Sequence, residues 1–231
     1  MLYFQVIFGN IFDEKYVIIK NLLSKELVKI YNNYAYRCRD VYATLRNYNY
    51  INPFNEDYGK FNDGQTEHTF CKYGDMLFDN MLLDLQPKIE KKIGLELSSE
   101  YTYFRIYQQM SELTRHKDRG SCEISGTINL GGTPWPIYID PNPKNGYYET
   151  TKKGNEKYIA GGDEGKKVVL EPGDCMIYLG CECEHWREPL MEDGECSQVF
   201  IHYKQKKNIK DNVKFDNRMG LGMPRYTHTD K

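Results

Sequence analysis

The second half of the chain is a series of short strand patterns separated by turn residues, and this series constrains the fold more than any other feature. Turn signals such as Gly131-Gly132 and Pro172-Gly173 fall between apolar runs. The predicted strands cover residues 101–108, 123–130, 135–139, 166–170, 174–179 and 197–203. Many short antiparallel strands joined by tight turns are typical of sandwiches and jelly rolls.

The first half of the chain favours helices. Residues 24–37 carry apolar side chains at helical spacing, and Asp75 is a suitable N-cap for a second helix that ends at Gly94. Pro87 predicts a kink or a restart inside that helix. Residues 40–72 have no clear period, which predicts a long loop with short strands or a lid over the site.

These patterns together predict a mainly β protein with N-terminal helices, an α+β jelly roll whose sheet is buttressed by helices. A chain of 231 residues fits one domain. We expect residues 1–94 to form helical support and a lid, 95–204 the jelly-roll core and 205–231 a solvated C-terminal extension. The polar stretch 141–165 is predicted to be an exposed insertion at the barrel mouth.

Composition excludes several classes of partner. The net charge of −2 and the pI near 6.2 give no general attraction to nucleic acid or to an anionic membrane. No apolar run approaches the length of about 20 residues that a membrane span needs. Seven cysteines without a visible export signal predict free thiols in a reducing, cytoplasmic location.

The motif His116-Lys117-Asp118, together with His185, predicts a metal site. Side chains two residues apart in an extended segment point to the same side, so His116 and Asp118 can chelate one ion. His185 lies 67 residues after Asp118 (185 − 118) and must be returned by the fold. Two imidazoles and one carboxylate form the facial triad of non-haem Fe(II) oxygenases. The simpler alternative is that these are ordinary polar residues at strand ends.

The residues around His185 allow two interpretations. Cys181 and Cys183 precede it at intervals of two residues, and the three side chains together could be the ligands of a structural zinc ion. Ligands only two residues apart suit a tetrahedral site poorly, however. In the other interpretation Arg187 shares the face of His185 and binds a carboxylate of a dicarboxylic cosubstrate. The alternative for Arg187 is an ion pair with Glu188 or another acid.

The order of the motifs resembles the 2-oxoglutarate/Fe(II)-dependent oxygenase superfamily, and most of all its prolyl 4-hydroxylase-like members. The resemblance spans about residues 97–204 and is carried by Tyr-x-Tyr-Phe-Arg-Ile-Tyr, Arg-His-Lys-Asp-Arg, Glu-Pro-Gly-Asp, Glu-His-Trp-Arg-Glu-Pro and Gln-Val-Phe-Ile-His-Tyr. It implies a double-stranded β-helix that binds Fe(II) and 2-oxoglutarate at its mouth. It also implies activation of O2, with ascorbate as an optional reductant, and release of succinate and CO2.

Carried over by position, the resemblance makes His116, Asp118 and His185 the iron ligands. Tyr107 stands where the family often places a tyrosine that contacts the cosubstrate carboxylate, and Asn129 (or Thr127) lies on a strand that supplies further contacts.

The chain departs from the family pattern at the base that pairs with the far carboxylate of the cosubstrate. The family usually has an Arg or a Lys roughly ten residues after the distal histidine, whereas residues 192–197 of this chain contain none. Arg187 is the predicted substitute, with Arg105 and Lys204 as the reserve candidates.

The resemblance favours hydroxylation of a prolyl residue in a peptide, and we expect a peptide or small-molecule partner. Two alternatives stay open. One is a cupin-like metal enzyme that does not use 2-oxoglutarate, and the other is a jelly-roll binding module without catalytic activity.

Overall fold

The computed structural model describes residues 11–150, 156–191, 193–209 and 214–224. Residues 151–155 of the predicted insertion, and residues 210–213 and 225–231 of the predicted extension, lie outside the described residues.

The described chain begins with helices and continues almost entirely as strands. The helices are α1 (Ile11–Glu14), α2 (Lys25–Asn47) and α3 (Met76–Ile93). The strands are β1 (Tyr16–Ile19), β2 (Lys60–Phe61), β3 (Thr69–Tyr73), β4 (Leu97–Gln108), β5 (Leu113–His116), β6 (Ile124–Gly132), β7 (Ile137–Asp140), β8 (Tyr147–Thr150), β9 (Glu156–Ile159), β10 (Lys166–Val168), β11 (Cys175–Leu179), β12 (Glu184–Arg187) and β13 (Glu195–Gln205).

Two antiparallel sheets form the barrel. The larger is seven-stranded in the order β1-β11-β6-β13-β4-β3-β2, and the smaller is four-stranded in the order β10-β7-β12-β5. They meet where Tyr178 of β11 packs against His185 of β12, with ring centroids 4.7 Å apart. β8 and β9 form a separate hairpin. The arrangement is a double-stranded β-helix, so the predicted fold class is confirmed.

The helices cover the outer face of the larger sheet. Phe78 of α3 packs on Phe104 of β4 with ring centroids 5.0 Å apart, and the Tyr203 hydroxyl of β13 donates to the carbonyl oxygen of Leu82 at 2.8 Å. Because side chains alternate along a strand, Arg105, on the opposite side of β4 from Phe104, faces the barrel interior. The outer face therefore holds the helices, and the inner face is left to build a site.

Both long helices differ from their predicted bounds. α2 continues to Asn47 rather than ending near residue 37, because Tyr42 of its last turns is buried. α3 runs through Pro87 without ending, since Pro87 lies on the solvent-exposed side, where a missing hydrogen bond is tolerated. Its ends follow the sequence signals: the Asp75 carboxylate accepts from Leu77 N, and Gly94 has a left-handed φ of 72°.

The predicted solvation of the C-terminal extension is wrong for its last described part. Asp216 is buried and accepts hydrogen bonds from Arg119 at 2.6 Å and from the Tyr73 hydroxyl at 2.6 Å. Arg218 is also buried and pairs with Asp79 of α3 at 2.8 Å. Charges on two distant elements therefore tie this segment to the barrel.

None of the helices in the described ranges combines the length and the hydropathy that a membrane span requires.

Candidate metal centre

Strand pairing brings the three predicted metal ligands together. His116 ends β5, and β12 pairs with β5 so that His185 lies opposite His116, with ring centroids 4.3 Å apart. The Asp118 Oδ1 atom is 3.6 Å from His116 Nε2 and 3.5 Å from His185 Nε2. The fold thus returns His185 to the His116-x-Asp118 motif.

An ion-pair cluster on the outer side of the same strands holds them in register. Arg115, which precedes His116, lies 2.7 Å from a Glu184 carboxylate oxygen and 2.7 Å from an Asp140 carboxylate oxygen. Glu184, which precedes His185, is fully buried and also accepts from the Tyr158 hydroxyl at 2.7 Å. These charges connect β5, β7 and β12 and limit the freedom of both imidazoles.

Hydrogen bonds on the far side of each ring aim the imidazoles at one point. The Nδ1 atom of His116 donates to the Thr114 carbonyl at 2.7 Å, and the Nδ1 atom of His185 lies 3.2 Å from the Cys183 carbonyl. A proton on Nδ1 leaves Nε2 as the lone-pair atom, which is the tautomer that a metal requires. Burial and the neighbouring His185 lower the pKa of His116, which favours the neutral ring.

The carboxylate is oriented by a chain of hydrogen bonds from the larger sheet. The Ser125 hydroxyl donates to Asp118 Oδ2 at 2.6 Å, and His202 Nδ1 lies 3.1 Å from the same hydroxyl oxygen. Burial lowers the pKa of His202 to about 4. Position 180 must be a glycine for the carboxylate to fit, because a Cβ there would lie 2.6 Å from Asp118 Oδ2. Oδ2 is thereby occupied, and Oδ1 is left facing the imidazoles.

Two polar side chains satisfy the metal-facing nitrogens in the described structure. Gln65 Nε2 lies 2.9 Å from His116 Nε2, and the Tyr178 hydroxyl lies 3.3 Å from His185 Nε2. Both nitrogens therefore act as acceptors from groups that an ion would displace.

The donor set fits a divalent ion of the iron type. Metal–ligand bonds of about 2.0–2.2 Å at right angles place neighbouring donors about 3 Å apart, close to the observed separations. Two imidazoles and a carboxylate on one side suit non-haem Fe(II), with further positions open to ligands. The three ligand side chains line a cavity of about 230 Å³, together with Tyr101, Tyr103, Arg105, Leu113, Arg119, Tyr178, Phe200 and His202, among others.

The other possible clusters are less suitable. Asp118, Cys122 and His202 also lie within ligand distance of one another, but burial raises the pKa of the Cys122 thiol, and a protonated thiol is a poor ligand. Cys181 and Cys183 do not join His185 in any such cluster of the described residues. Cys183 instead lies near the Lys15 carbonyl at 3.7 Å.

Arg187 and Tyr107 lie together and are both buried, and neither is among the residues that line the cavity at the metal ligands. The Arg187 guanidinium is 4.9 Å from the centre of the Trp135 ring, and Tyr107 packs edge-on against the same ring. Arg187 donates to the Trp135 carbonyl, but its Nε atom is buried without a partner. In the described part of the chain no carboxylate, including that of Glu188, lies within ion-pair distance of Arg187.

The other predicted cosubstrate contacts lie apart from this group. Asn129 donates to the Leu170 carbonyl at 2.6 Å and accepts from Gly131 N at 2.9 Å. Lys204 does not line the cavity. Arg105 does line it, but its guanidinium is paired with Asp63 and hydrogen-bonded to Gln65 at 2.7 Å.

Several residues of the site were not singled out by the sequence. Ser125, Tyr178 and His202 have strand positions whose alternation could have identified them as inward-facing. Gln65 and Asp63 belong to a segment without period, and Asp216 to the tail, so no local signal points to them.

Comparison with known proteins agrees with this architecture. No protein-family model matches the chain, and no curated protein matches it in sequence. Among solved structures, a prolyl-4-hydroxylase from Pseudomonas putida is similar, with a TM-score of 0.53 and 14% identity over 84% of this chain and 95% of that chain.

Two further solved structures show the range of ligands found on this fold. HygX from Streptomyces hygroscopicus, with nickel, 2-oxoglutarate and hygromycin B bound, has a TM-score of 0.55 and 13% identity over 85% of each chain. A prolyl hydroxylase from Trichoplax adhaerens, in complex with a hypoxia inducible factor peptide fragment, has a TM-score of 0.53 and 11% identity over 85% of this chain and 86% of that chain. The chain thus has the fold of the 2-oxoglutarate/Fe(II) oxygenases.

Proposed function

We propose that this protein is an Fe(II)- and 2-oxoglutarate-dependent dioxygenase that hydroxylates its substrate with release of succinate and CO2. The observation that carries the proposal is the convergence of two imidazole nitrogens and one carboxylate oxygen at the mouth of a double-stranded β-helix. Bound iron would supply the oxidising chemistry. The chain supplies the ligands His116, Asp118 and His185 and the cavity above them.

The proposed cosubstrate contact is Arg187, the predicted substitute for the base that the family pattern has and this chain lacks. Its guanidinium is buried and has no carboxylate partner among the described residues. A buried charge without a counter-ion is costly, so an anion is the expected partner. Cys196 of β13 lies near it in the cluster around Tyr107 and Trp135, in the region where the family usually places its base. We therefore infer that Arg187 replaces that base from the neighbouring strand, with Tyr107 beside it.

The proposed substrate is a prolyl residue of a peptide. Two of the similar solved structures are named as prolyl hydroxylases, and one of those binds a peptide fragment. HygX, with its bound hygromycin B, supports a small-molecule substrate as the second candidate.

The test is turnover of 2-oxoglutarate with Fe(II), measured as succinate, in the presence of proline-containing peptides, free amino acids and small metabolites. We expect succinate release that depends on Fe(II) and that one of these classes stimulates. His116→Ala should abolish both turnover and tight Mn(II) binding. His68→Asn is the matched control, because His68 is exposed and Asn tolerates its φ of 54°.

The outcomes separate the alternatives. Tight metal binding that His116→Ala removes, without any succinate, would favour a cupin-like enzyme. Metal binding that His116→Ala leaves unchanged would favour a jelly-roll binding module. Arg187→Gln should raise the KM for 2-oxoglutarate by about tenfold or more, since it removes a charge-assisted hydrogen bond.

A further inference from the structure

The segment of residues 62–66 inserts a carboxylate into the candidate site. Asp63 Oδ1 accepts from the backbone amides of Gln65 at 3.0 Å and Thr66 at 2.8 Å, which fixes the carboxylate within its own turn. Asp63 Oδ2 accepts from the Tyr103 hydroxyl at 2.6 Å and from Arg105 Nε at 3.0 Å. The guanidinium of Arg105 and the hydroxyl of Tyr103 thus converge on one carboxylate oxygen, which is an arrangement that a carboxylate of a ligand can also use.

Gln65 links this carboxylate position to the metal ligands. Its Oε1 atom accepts from Arg105 Nη2 at 2.7 Å, so its amide nitrogen points the other way and lies 2.9 Å from His116 Nε2. The side-chain amide of Gln65 therefore bridges the Arg105 guanidinium and the Nε2 atom of His116. His116 Nε2 has a single lone pair, so it cannot bind a metal and accept from Gln65 at the same time.

Arg105 and Arg187 differ in whether their guanidinium groups already have a carboxylate partner. Arg187 has no carboxylate partner among the described residues; it donates to the Trp135 carbonyl, and its Nε atom has no partner. Arg105 already has Asp63, and a ligand that binds Arg105 must replace an existing ion pair. The proposed function assigns the cosubstrate to Arg187. The position at Arg105, which lines the cavity next to the metal ligands, is left for a second anion.

We propose that Arg105 and Tyr103 form a carboxylate subsite for the substrate, and that Asp63 occupies it as an internal substitute until metal and substrate displace the segment 62–66. The proposal rests on the proposed function and narrows its substrate class. The substrate carries a carboxylate close to the carbon that is oxidised, either as a free acid or as an acidic residue beside the target in a peptide.

The first experiment uses acetate and its uncharged analogue acetamide as probes. The protein is loaded with Mn(II) and saturated with 2-oxoglutarate, and broadening of the probe methyl signal by Mn(II) is measured by NMR. We expect binding of acetate but not acetamide. Asp63→Asn should tighten acetate binding by about tenfold or more, because it removes the competing charge. Glu67→Gln, an exposed charge removal in the same loop, should leave it unchanged.

The second set of variants addresses Arg105 directly. Arg105→Gln should abolish acetate binding and leave the affinity for 2-oxoglutarate unchanged, and Tyr103→Phe, which keeps the ring, should weaken acetate binding alone. Gln65→Ala should increase the affinity of the cosubstrate-free protein for Mn(II), since no hydrogen bond is then lost at His116.

The possible failures are distinguishable. A wild-type protein that binds no Mn(II) would contradict the proposed function itself. Normal Mn(II) and 2-oxoglutarate binding, with acetate binding unaffected by Asp63→Asn, would overturn only the subsite. Loss of 2-oxoglutarate binding in Arg105→Gln would overturn it too, and would assign Arg105 to the cosubstrate. Succinate release is then compared between each candidate peptide or free acid and the same compound with its carboxylate replaced by a carboxamide. The class in which this replacement lowers succinate release is the source of the carboxylate.

Discussion

Removal of the Ser125 hydroxyl tests whether the carboxylate of the metal centre is held in place from behind. In the structure this hydroxyl donates a hydrogen bond to Asp118 Oδ2 at 2.6 Å, and its oxygen accepts one from His202 Nδ1 at 3.1 Å. Both Ser125 and His202 are buried, so water cannot replace the lost donor freely. Ser125→Ala therefore lets the Asp118 carboxylate rotate and leaves the His202 N–H without its acceptor.

The expected magnitude follows from these contacts. A hydrogen bond to a charged group contributes about 1.5–3 kcal/mol, and the loss of an outer partner of a metal ligand typically lowers metal affinity about 10–100-fold. We expect Ser125→Ala to raise the Kd for Mn(II) within that range, which corresponds to about 1.4–2.8 kcal/mol. Part of the effect should also be seen as lower stability, because Asp118 loses a donor in the metal-free protein.

The assay is anaerobic titration with Mn(II), with urea unfolding measured on the same samples. Ser197→Ala is the matched control: Ser197 is as deeply buried and bonds to Asn32, but on the helix side of the sheet. It should lose stability without losing metal affinity. If Ser125→Ala binds Mn(II) as tightly as Ser197→Ala does, the hydroxyl does not orient the carboxylate and the reasoning is refuted.

Three further predictions concern the surroundings of the site. Gly180→Ala should weaken Mn(II) binding about tenfold or more, because its Cβ would lie 2.6 Å from Asp118 Oδ2 and would collide with the Cys122 carbonyl oxygen. Unchanged affinity in the same titration would contradict this. Arg119→Gln should lower the free energy of unfolding by about 1–2 kcal/mol, since it removes two hydrogen bonds between the partly exposed guanidinium and buried Asp216. Identical urea midpoints for the variant and the wild type would refute this prediction. Burial lowers the pKa of His202 from 6.5 to about 4, so between these pH values the unfolded chain binds a proton that the native state excludes. The metal-free wild type should therefore lose about 3 kcal/mol of stability as the pH falls through this window, a loss that His202→Asn lacks; parallel urea curves for both proteins at the two pH values would argue against it.

The sequence was most informative where the physics is local. Alternation of apolar residues and Gly or Pro turns predicted β4, β6, β7, β10, β11 and β13, and the Asp75 cap and the Gly94 stop predicted the ends of α3. The short strands β5 and β12, which carry His116 and His185, were not among the predicted strands. The spacing of His116 and Asp118 identified two neighbouring donors, because side chains two apart in an extended segment share a side. The predicted interruption of α3 at Pro87 was wrong, since a proline interrupts a helix less when it lies on the solvent side.

Tertiary structure decided which charges meet. Arg105 and Arg187 both lie on strands of the barrel, yet within the described ranges only Arg105 acquires a carboxylate, from a loop 42 positions away in the chain. The same loop places Gln65 against His116, and the tail returns Asp216 to Arg119. These contacts depend on strand register and on the path of segments without periodicity. Residue types and spacings in the sequence therefore determine the donors and the strands, whereas the partners of the buried charges are determined only when the two sheets close.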